Sequence, residues 1–273
     1  MCGSTKCKQY NIKNAGCMIC FGTVPCTPGC NIGACALSSV NEYASLSSGQ
    51  CHMFIGGGPY YFPPYGKDIT KELITTPIVQ HPLKVRGFGI AFDPEFFYYV
   101  NVTSISVDHK VVSFNDSLLS IGKDAWGGTA LSTTTTTTTF TILRDSIYEV
   151  LVSAFTKAAA FRKMKRVESV APFGACYESK SVARSQTGPV VPYIDIGLAG
   201  NTHWRFYGAN SMVSVNKDIL CLAFVGAPVR TSSIVIGAYQ MENYLIKFDL
   251  ESSKLRISTS LLFRNTTCSQ FRI

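Results

Sequence analysis

A chain of 273 residues, 46% hydrophobic and only 15% charged, can bury a large core and is too apolar to be disordered. Its net charge of +8, from 25 basic against 17 acidic residues, bears on solubility and on an acidic partner rather than on fold. With no apolar run of roughly 18 residues, a membrane-spanning helix is excluded.

The first 50 residues carry almost no hydrophobic periodicity and read as loops. From Met53 the character changes, which sets an expected boundary between residues 1–50 and 51–273. Residues 96–108 (FFYYVNVTSISVD) alternate from Val100 onward as a half-buried strand does, turn at Asp108-His109, and continue over 110–113. The threonine run at 133–139 is low-complexity, yet threonine is β-branched and suits a strand or a strand-edge loop. Asp145 is the expected N-cap of a helix over 146–163, with Ile147, Val150, Leu151, Ala154 and Phe155 at helical spacing. Short strands are expected at 193–198, 203–207, 211–215, 219–225, 233–236, 244–249 and 255–258. Many short strands with one substantial helix predict an all-β, bilobal barrel architecture.

Cysteine usage points to an oxidising compartment. Cys2, Cys7, Cys17, Cys20, Cys26, Cys30, Cys35 and Cys51 crowd the start, and Cys176, Cys221 and Cys268 are scattered later. Such density in a polar, glycine-bearing stretch favours a disulfide-stapled loop. Zinc is the rival, because Cys17 and Cys20 have ligand spacing, but a second Cys-x-x-Cys is missing. The odd total leaves at least one thiol free or bridged to another chain. Asn101, Asn115 and Asn265 head glycosylation sequons, a weak pointer to secretion. The opening Met1-Cys2-Gly3-Ser4 has neither a basic start nor an apolar stretch, so no signal peptide is expected in the sequence as written.

Other candidate chemistry is thin. The basic run of Arg162, Lys163, Lys165 and Arg166 reads as the solvated end of a helix rather than a nucleic-acid patch. His52, His81 and His109 form no metal spacing, and His203 beside Trp204 reads as a structural residue in a strand. No metal or cofactor is expected.

Several motifs, in order, resemble the plant extracellular dermal glycoprotein group of the pepsin-like superfamily, which includes xylanase and xyloglucan-endoglucanase inhibitors. They are FIGGGPYYF (54–62), VAPFGAC (170–176), GPVVP (188–192), NSMV (210–213) and IVIG (234–237) followed by Gln240 and Glu242-Asn243. Cys2-x4-Cys7, Cys17-x2-Cys20 and Gly29-Cys30-x4-Cys35 match the cysteine-rich insert of that group's N-terminal lobe. The resemblance implies a pepsin-like fold: a remnant of the N-terminal lobe, an interlobe sheet and a C-terminal lobe, with most of the N-terminal lobe missing. It also implies an extracellular, apoplastic location, a monomer, a disulfide between Cys176 and Cys221, and a partner for Cys268 in the N-terminal cluster.

Residues 127–143 (GGTALSTTTTTTTFTIL) resemble the second active-site loop of pepsin-like proteases, but no aspartate lies between Asp124 and Asp145. Asp-Ser-Gly and Asp-Thr-Gly are absent from the whole sequence. Pepsin-type hydrolysis needs two carboxylates sharing a proton. Ser132, Thr133, Thr134 and Thr135 occupy the degenerate loop, and no local motif gives a serine nucleophile there its histidine base. The resemblance therefore implies a catalytically inactive scaffold that recognises a microbial glycoside hydrolase. Its inhibitory arginines align with Gln186 and Asn265, with Arg184 and Arg264 adjacent as substitutes. An arginine suits that role because its fork pairs bidentately with catalytic carboxylates. The competing expectations are an aspartic endopeptidase and a degenerate fragment with exposed apolar interlobe surface.

Overall fold

The computed structural model describes residues 59–80, 98–132, 139–228 and 231–268. The chain divides into two compact units, Met1–Gly57 and Gly58–Ile273, and the described residues all belong to the second. Expectations for Cys2, Cys7, Cys17, Cys20, Cys26, Cys30, Cys35 and Cys51, and for Thr133, Thr134 and Thr135, lie outside the described residues.

In chain order the unit has β1 (Ile74–Val79), β2 (Tyr98–Val100), β3 (Val102–Val107), β4 (Lys110–Val111), β5 (Thr129–Leu131) and β6 (Thr141–Arg144), then helix α1 (Asp145–Phe161). Next come β7 (Arg166–Val167), β8 (Cys176–Glu178), β9 (Arg184–Ser185), β10 (Gly188–Pro189), β11 (Ile194–Leu198), β12 (Thr202–Phe206) and the one-turn helix α2 (Gly208–Ser211). The last segment holds β13 (Met212–Ser214), β14 (Ile219–Leu222), β15 (Phe224–Ala227), β16 (Ile234–Ile236), α3 (Ala238–Met241), β17 (Ile246–Asp249) and β18 (Lys254–Ile257).

Among the described residues these strands form an eight-stranded sheet in the order β15-β6-β16-β5-β2-β1-β18-β17. Two four-stranded sheets, β12-β11-β3-β4 and β13-β14-β8-β7, and the β9-β10 ribbon complete the unit. From Val100 onward the alternation is carried by β2 and β3, separated at exposed Asn101 and shifted once at Thr103-Ser104, so that Val102 and Ile105 are both buried. Val102, Ile105 and Val107 turn into the main core, and the chain reverses through positive φ at Asp108 and His109. Asp and His tolerate that left-handed geometry, which matches the twist of a two-residue hairpin.

The long helix differs from expectation at both ends. It starts at Asp145 and stops at Phe161, and Arg144, not Asp145, is the capping residue, with no side-chain cap. Arg144 is also the last residue of β6, so the chain passes from strand to helix without an intervening loop. Asp145 lies in the first turn, where its charge complements the helix dipole. Ile147, Leu151, Phe155 and Ala159 recur every fourth residue and are buried against the main core. Three members of the basic run are engaged close to the helix end. Arg162 pairs with Asp108 at 2.8 Å, Lys165 with Glu178 at 3.1 Å, and Arg166 donates to the Gly174 carbonyl at 3.1 Å.

The stretch 219–225, expected as one strand, is two. β14 pairs with β8 and β13, whereas β15 leaves for the eight-stranded sheet and pairs in parallel with β6. The switch occurs at fully buried Ala223, whose N–H donates to the Ser211 carbonyl at 2.8 Å. β1 was not legible by alternation because Pro77 interrupts the pattern; in the sheet Pro77 lies opposite Lys254 of β18. Cys176 and Cys221 face each other across β8 and β14 and form a disulfide, packed with Phe173. Half-buried Cys268 has its sulfur 3.8 Å from the Tyr244 carbonyl oxygen.

Candidate functional site

The β9-β10 ribbon is a hairpin with Gln186 and Thr187 as its two-residue tip. Gly188 follows at φ +90°, and a Cβ there would meet the Ala209 nitrogen at 2.5 Å. Gly208 is equally confined, since its Cβ would meet the Pro189 carbonyl oxygen at 1.9 Å. Two glycines thus let the ribbon lie directly on α2, where the Ala209 N–H donates to the Thr187 carbonyl at 2.9 Å. The Ser185 hydroxyl donates to the Gly188 carbonyl at 3.0 Å, tightening the turn from within. Arg184 and Gln186 are exposed, and Arg184 makes no ion pair among the described residues.

The second loop follows a 3-10 turn, Leu261–Arg264, whose cap Asn265 is left-handed at φ 52°. Asparagine tolerates that conformation better than most residues. The Thr266 hydroxyl donates to the Pro63 carbonyl at 2.6 Å, and the Leu261 N–H to the Asn243 carbonyl at 2.8 Å. Phe263 is half exposed and meets Tyr207 edge-on at 4.9 Å.

The two loops meet. Gln186 Nε2 donates to Asn265 Oδ1, joining residues 79 apart in sequence. The two aligned positions therefore form one surface, with Arg184 just before the clasp and Arg264 just beside it. The two arginines differ in availability. Arg264 is ion-paired with Glu72, donates to the Thr259 hydroxyl at 2.7 Å and lies 5.0 Å over the Tyr65 ring. Its side chain is 12% exposed. Neither Glu72 nor Tyr65 was flagged by sequence, and a contact spanning 192 residues leaves no local signature.

The Tyr65 hydroxyl, which donates at 2.9 Å, and the Arg264 guanidinium hold the Glu72 carboxyl below the ordinary glutamate range. A carboxyl with a depressed folded value contributes stability above its unfolded value of about 4.3 and loses it as pH falls through the folded value. The Arg264 brace is thus expected to persist at neutral and mildly acid pH and to fail only once the pH falls below the ordinary glutamate range. In Glu72→Gln, the loop signals of Arg264 and Asn265 should lose their acid transition in an NMR titration. An unchanged transition in that variant would assign it to another group.

Across the β11-β12 pair, Asp195 of β11 takes Arg205 of β12 bidentately at 2.7 and 2.9 Å, and Arg205 stacks on Tyr193 at 3.8 Å. His203 lies exposed on the same strand as Arg205, and His109 meets Tyr193 edge-on at 5.1 Å. Among the described residues, no group of three or more His, Cys, Asp or Glu is placed to hold a metal.

The degenerate loop leaves the end of β5 at Ser132, which is 2% exposed and whose N–H donates to the Ile236 carbonyl at 2.9 Å. It returns at Thr139, whose carbonyl accepts from the Tyr239 N–H at 2.9 Å. Gln240 of α3 then holds the start of β6.

The sequence profile described as xylanase inhibitor C-terminal matches residues 97–259. The chain belongs to the xylanase inhibitor C-terminal family. It is 41% identical over 231 residues to a Nicotiana benthamiana protein named probable aspartic proteinase GIP2, covering 84% of this chain and 51% of that protein. It is 39% identical over 222 residues to gamma conglutin 1 of Prunus dulcis, covering 80% and 46% respectively. The crystal structure of edgp superposes with a TM-score of 0.76 at 37% identity, over 83% of this chain and 55% of that one. Basic 7S globulin from soybean does so at 0.57 and 26% identity, over 77% and 49%. The mainly β, pepsin-like fold of this xylanase inhibitor C-terminal member is thereby established, and the chain spans about half the length of the curated relatives it matches. The Cys176–Cys221 disulfide joins the neighbouring strands β8 and β14.

Proposed function

We propose that this protein is a catalytically inactive, extracellular inhibitor of microbial cell-wall-degrading glycoside hydrolases, acting through the surface clasped by Gln186 and Asn265. The clasp supports this reading most directly: it makes one presenting surface from the two loops whose positions align with inhibitory arginines. Arg184 would be the contacting cation, exposed beside the clasp and able to fork onto a pair of catalytic carboxylates. Arg264, bound to Glu72 and Thr259, would hold the second loop in place. The net charge of +8 would favour encounter with an acidic cleft.

The test is a titration of a microbial xyloglucan-specific endoglucanase with the oxidised, folded protein. Arg184→Ala should weaken inhibition roughly 30-fold, as expected for a central interface arginine worth about 2 kcal/mol. Gln186→Ala, which opens the clasp, should weaken it less. Absence of inhibition by a cooperatively melting sample would sink the proposal.

A second reading, aspartic endopeptidase, is favoured by the name of the Nicotiana relative. It conflicts with a sequence that contains no Asp-Ser-Gly or Asp-Thr-Gly and has Ser132 or Thr135 about where the aspartate would align. Pepstatin-sensitive cleavage of casein at acid pH would establish it.

A further inference from the structure

Asn265 combines two properties that the inhibitor reading does not use together. It heads the sequon Asn265-Thr266-Thr267, and it is exposed in a left-handed turn at the centre of the clasped surface. Its side-chain oxygen, not its nitrogen, takes the hydrogen bond from Gln186. N-linked glycosylation uses only the amide nitrogen. The sugar-bearing amide keeps its carbonyl oxygen, so a glycan here leaves the clasp intact.

We infer that Asn265 is N-glycosylated and that its glycan gates access to Arg184, so that occupancy of this one sequon sets inhibitory strength. In the transfer, Asn265 Nδ2 attacks the anomeric carbon of an oligosaccharide carried on a polyprenyl diphosphate. A C–N bond forms, the C–O bond to phosphate breaks, the diphosphate leaves with the electron pair, and the amide proton goes to a base. The co-reactant is that lipid-linked oligosaccharide. Asn101 and Asn115 are exposed sequon residues as well. Asn101, however, separates β2 from β3, and Asn115 caps the 3-10 turn Asp116–Leu119 by accepting from the Ser117 N–H at 3.1 Å. Among the described residues neither is hydrogen-bonded to Gln186 or Asn265. Asn265 is bonded directly to the hairpin tip that carries Arg184 two residues earlier. A branched oligosaccharide at that point covers the side chains a deep enzyme cleft would have to admit.

The gating half of the inference rests on the inhibitor proposal, but its test does not. The full chain, led by a cleavable signal peptide, is produced through the secretory pathway of a plant cell, and glycopeptide mass spectrometry reads occupancy at Asn265. Thr267→Val removes the sequon while keeping Asn265 and its bond to Gln186, and Thr267→Ser keeps the sequon. Labelling of Arg184 by an arginine-selective dicarbonyl is expected to run at least about tenfold faster in Thr267→Val than in the wild type or Thr267→Ser. Endoglucanase inhibition should tighten in parallel. An unmodified Asn265 would overturn the inference, as would equal Arg184 labelling with and without the glycan. If labelling differs but neither form inhibits, glycosylation of Asn265 and its cover over Arg184 stand, while the inhibitor proposal and the control of inhibition fall.

Discussion

Replacing Gln240 with leucine is expected to destabilise the unit Gly58–Ile273 by roughly 3–5 kcal/mol, more than any surface change in it. Gln240 is fully buried, and both ends of its amide are used. Oε1 accepts from the Thr141 N–H at 2.8 Å and from the Thr141 hydroxyl at 2.9 Å. Nε2 donates to the carbonyls of Ala223 at 2.7 Å and Asn210 at 3.0 Å. The Thr141 hydroxyl in turn accepts from the Gly237 N–H at 3.1 Å. One side chain thus satisfies the start of β6, the switch between β14 and β15, and the turn of α2. Leucine has a similar volume, so the cavity term is small. The loss comes from four polar partners left buried, each worth about 1–3 kcal/mol before relaxation. Thermal unfolding should shift down on the order of 10 °C, and urea midpoints should fall with an unchanged slope. A loss below about 1 kcal/mol would mean that water or a neighbour replaces the amide.

The second large effect is expected at the disulfide. Cys176 and Cys221 close a loop with a sequence separation of 45 residues. Chain-entropy reasoning gives about 4 kcal/mol for a loop of that size, with engineered and native cases spanning roughly 2–5. The bond also packs with Phe173 and with half-buried Val167, Val213 and Val225, so the Cys176→Ala/Cys221→Ala pair loses contacts as well as the cross-link. The double variant should unfold at markedly lower denaturant. Reduction of the wild type should reproduce most of that change, because the strand pairing between β8 and β14 does not depend on the bond. If the variant instead matched the oxidised wild type, the reduced unfolded chain would have to be nearly as constrained as the bridged one.

Where periodicity acts over short distances, the sequence was a good guide. The i, i+4 row from Ile147 to Ala159 and the apolar residues Val102, Ile105 and Val107, alternating over the last three positions, declare the helix and a core strand directly. Boundaries failed where one residue serves two elements. Arg144 ends a strand and caps a helix, and Ala223 sits between strands of two different sheets within one unbroken apolar run. The Cys176–Cys221 pair came from family resemblance, since spacing alone could not choose it among eleven cysteines. In the candidate site, the two loops could be located by alignment, but their union could not. Gln186 and Asn265 carry no pattern that announces a bond across 79 residues, and the removal of Arg264 into an ion pair depends on Glu72 at the other end of the unit.

The seating of the hairpin on α2 has an evolutionary consequence. The attachment uses backbone atoms and two glycines, Gly188 and Gly208, while the outward residues Arg184 and Gln186 take no part in it. Substitution at Arg184 is therefore nearly free of folding cost, whereas Gln186 also carries the bond to Asn265. The tip can thus change in sequence at Arg184 while the two glycines that seat it stay fixed by the close approach of the backbone.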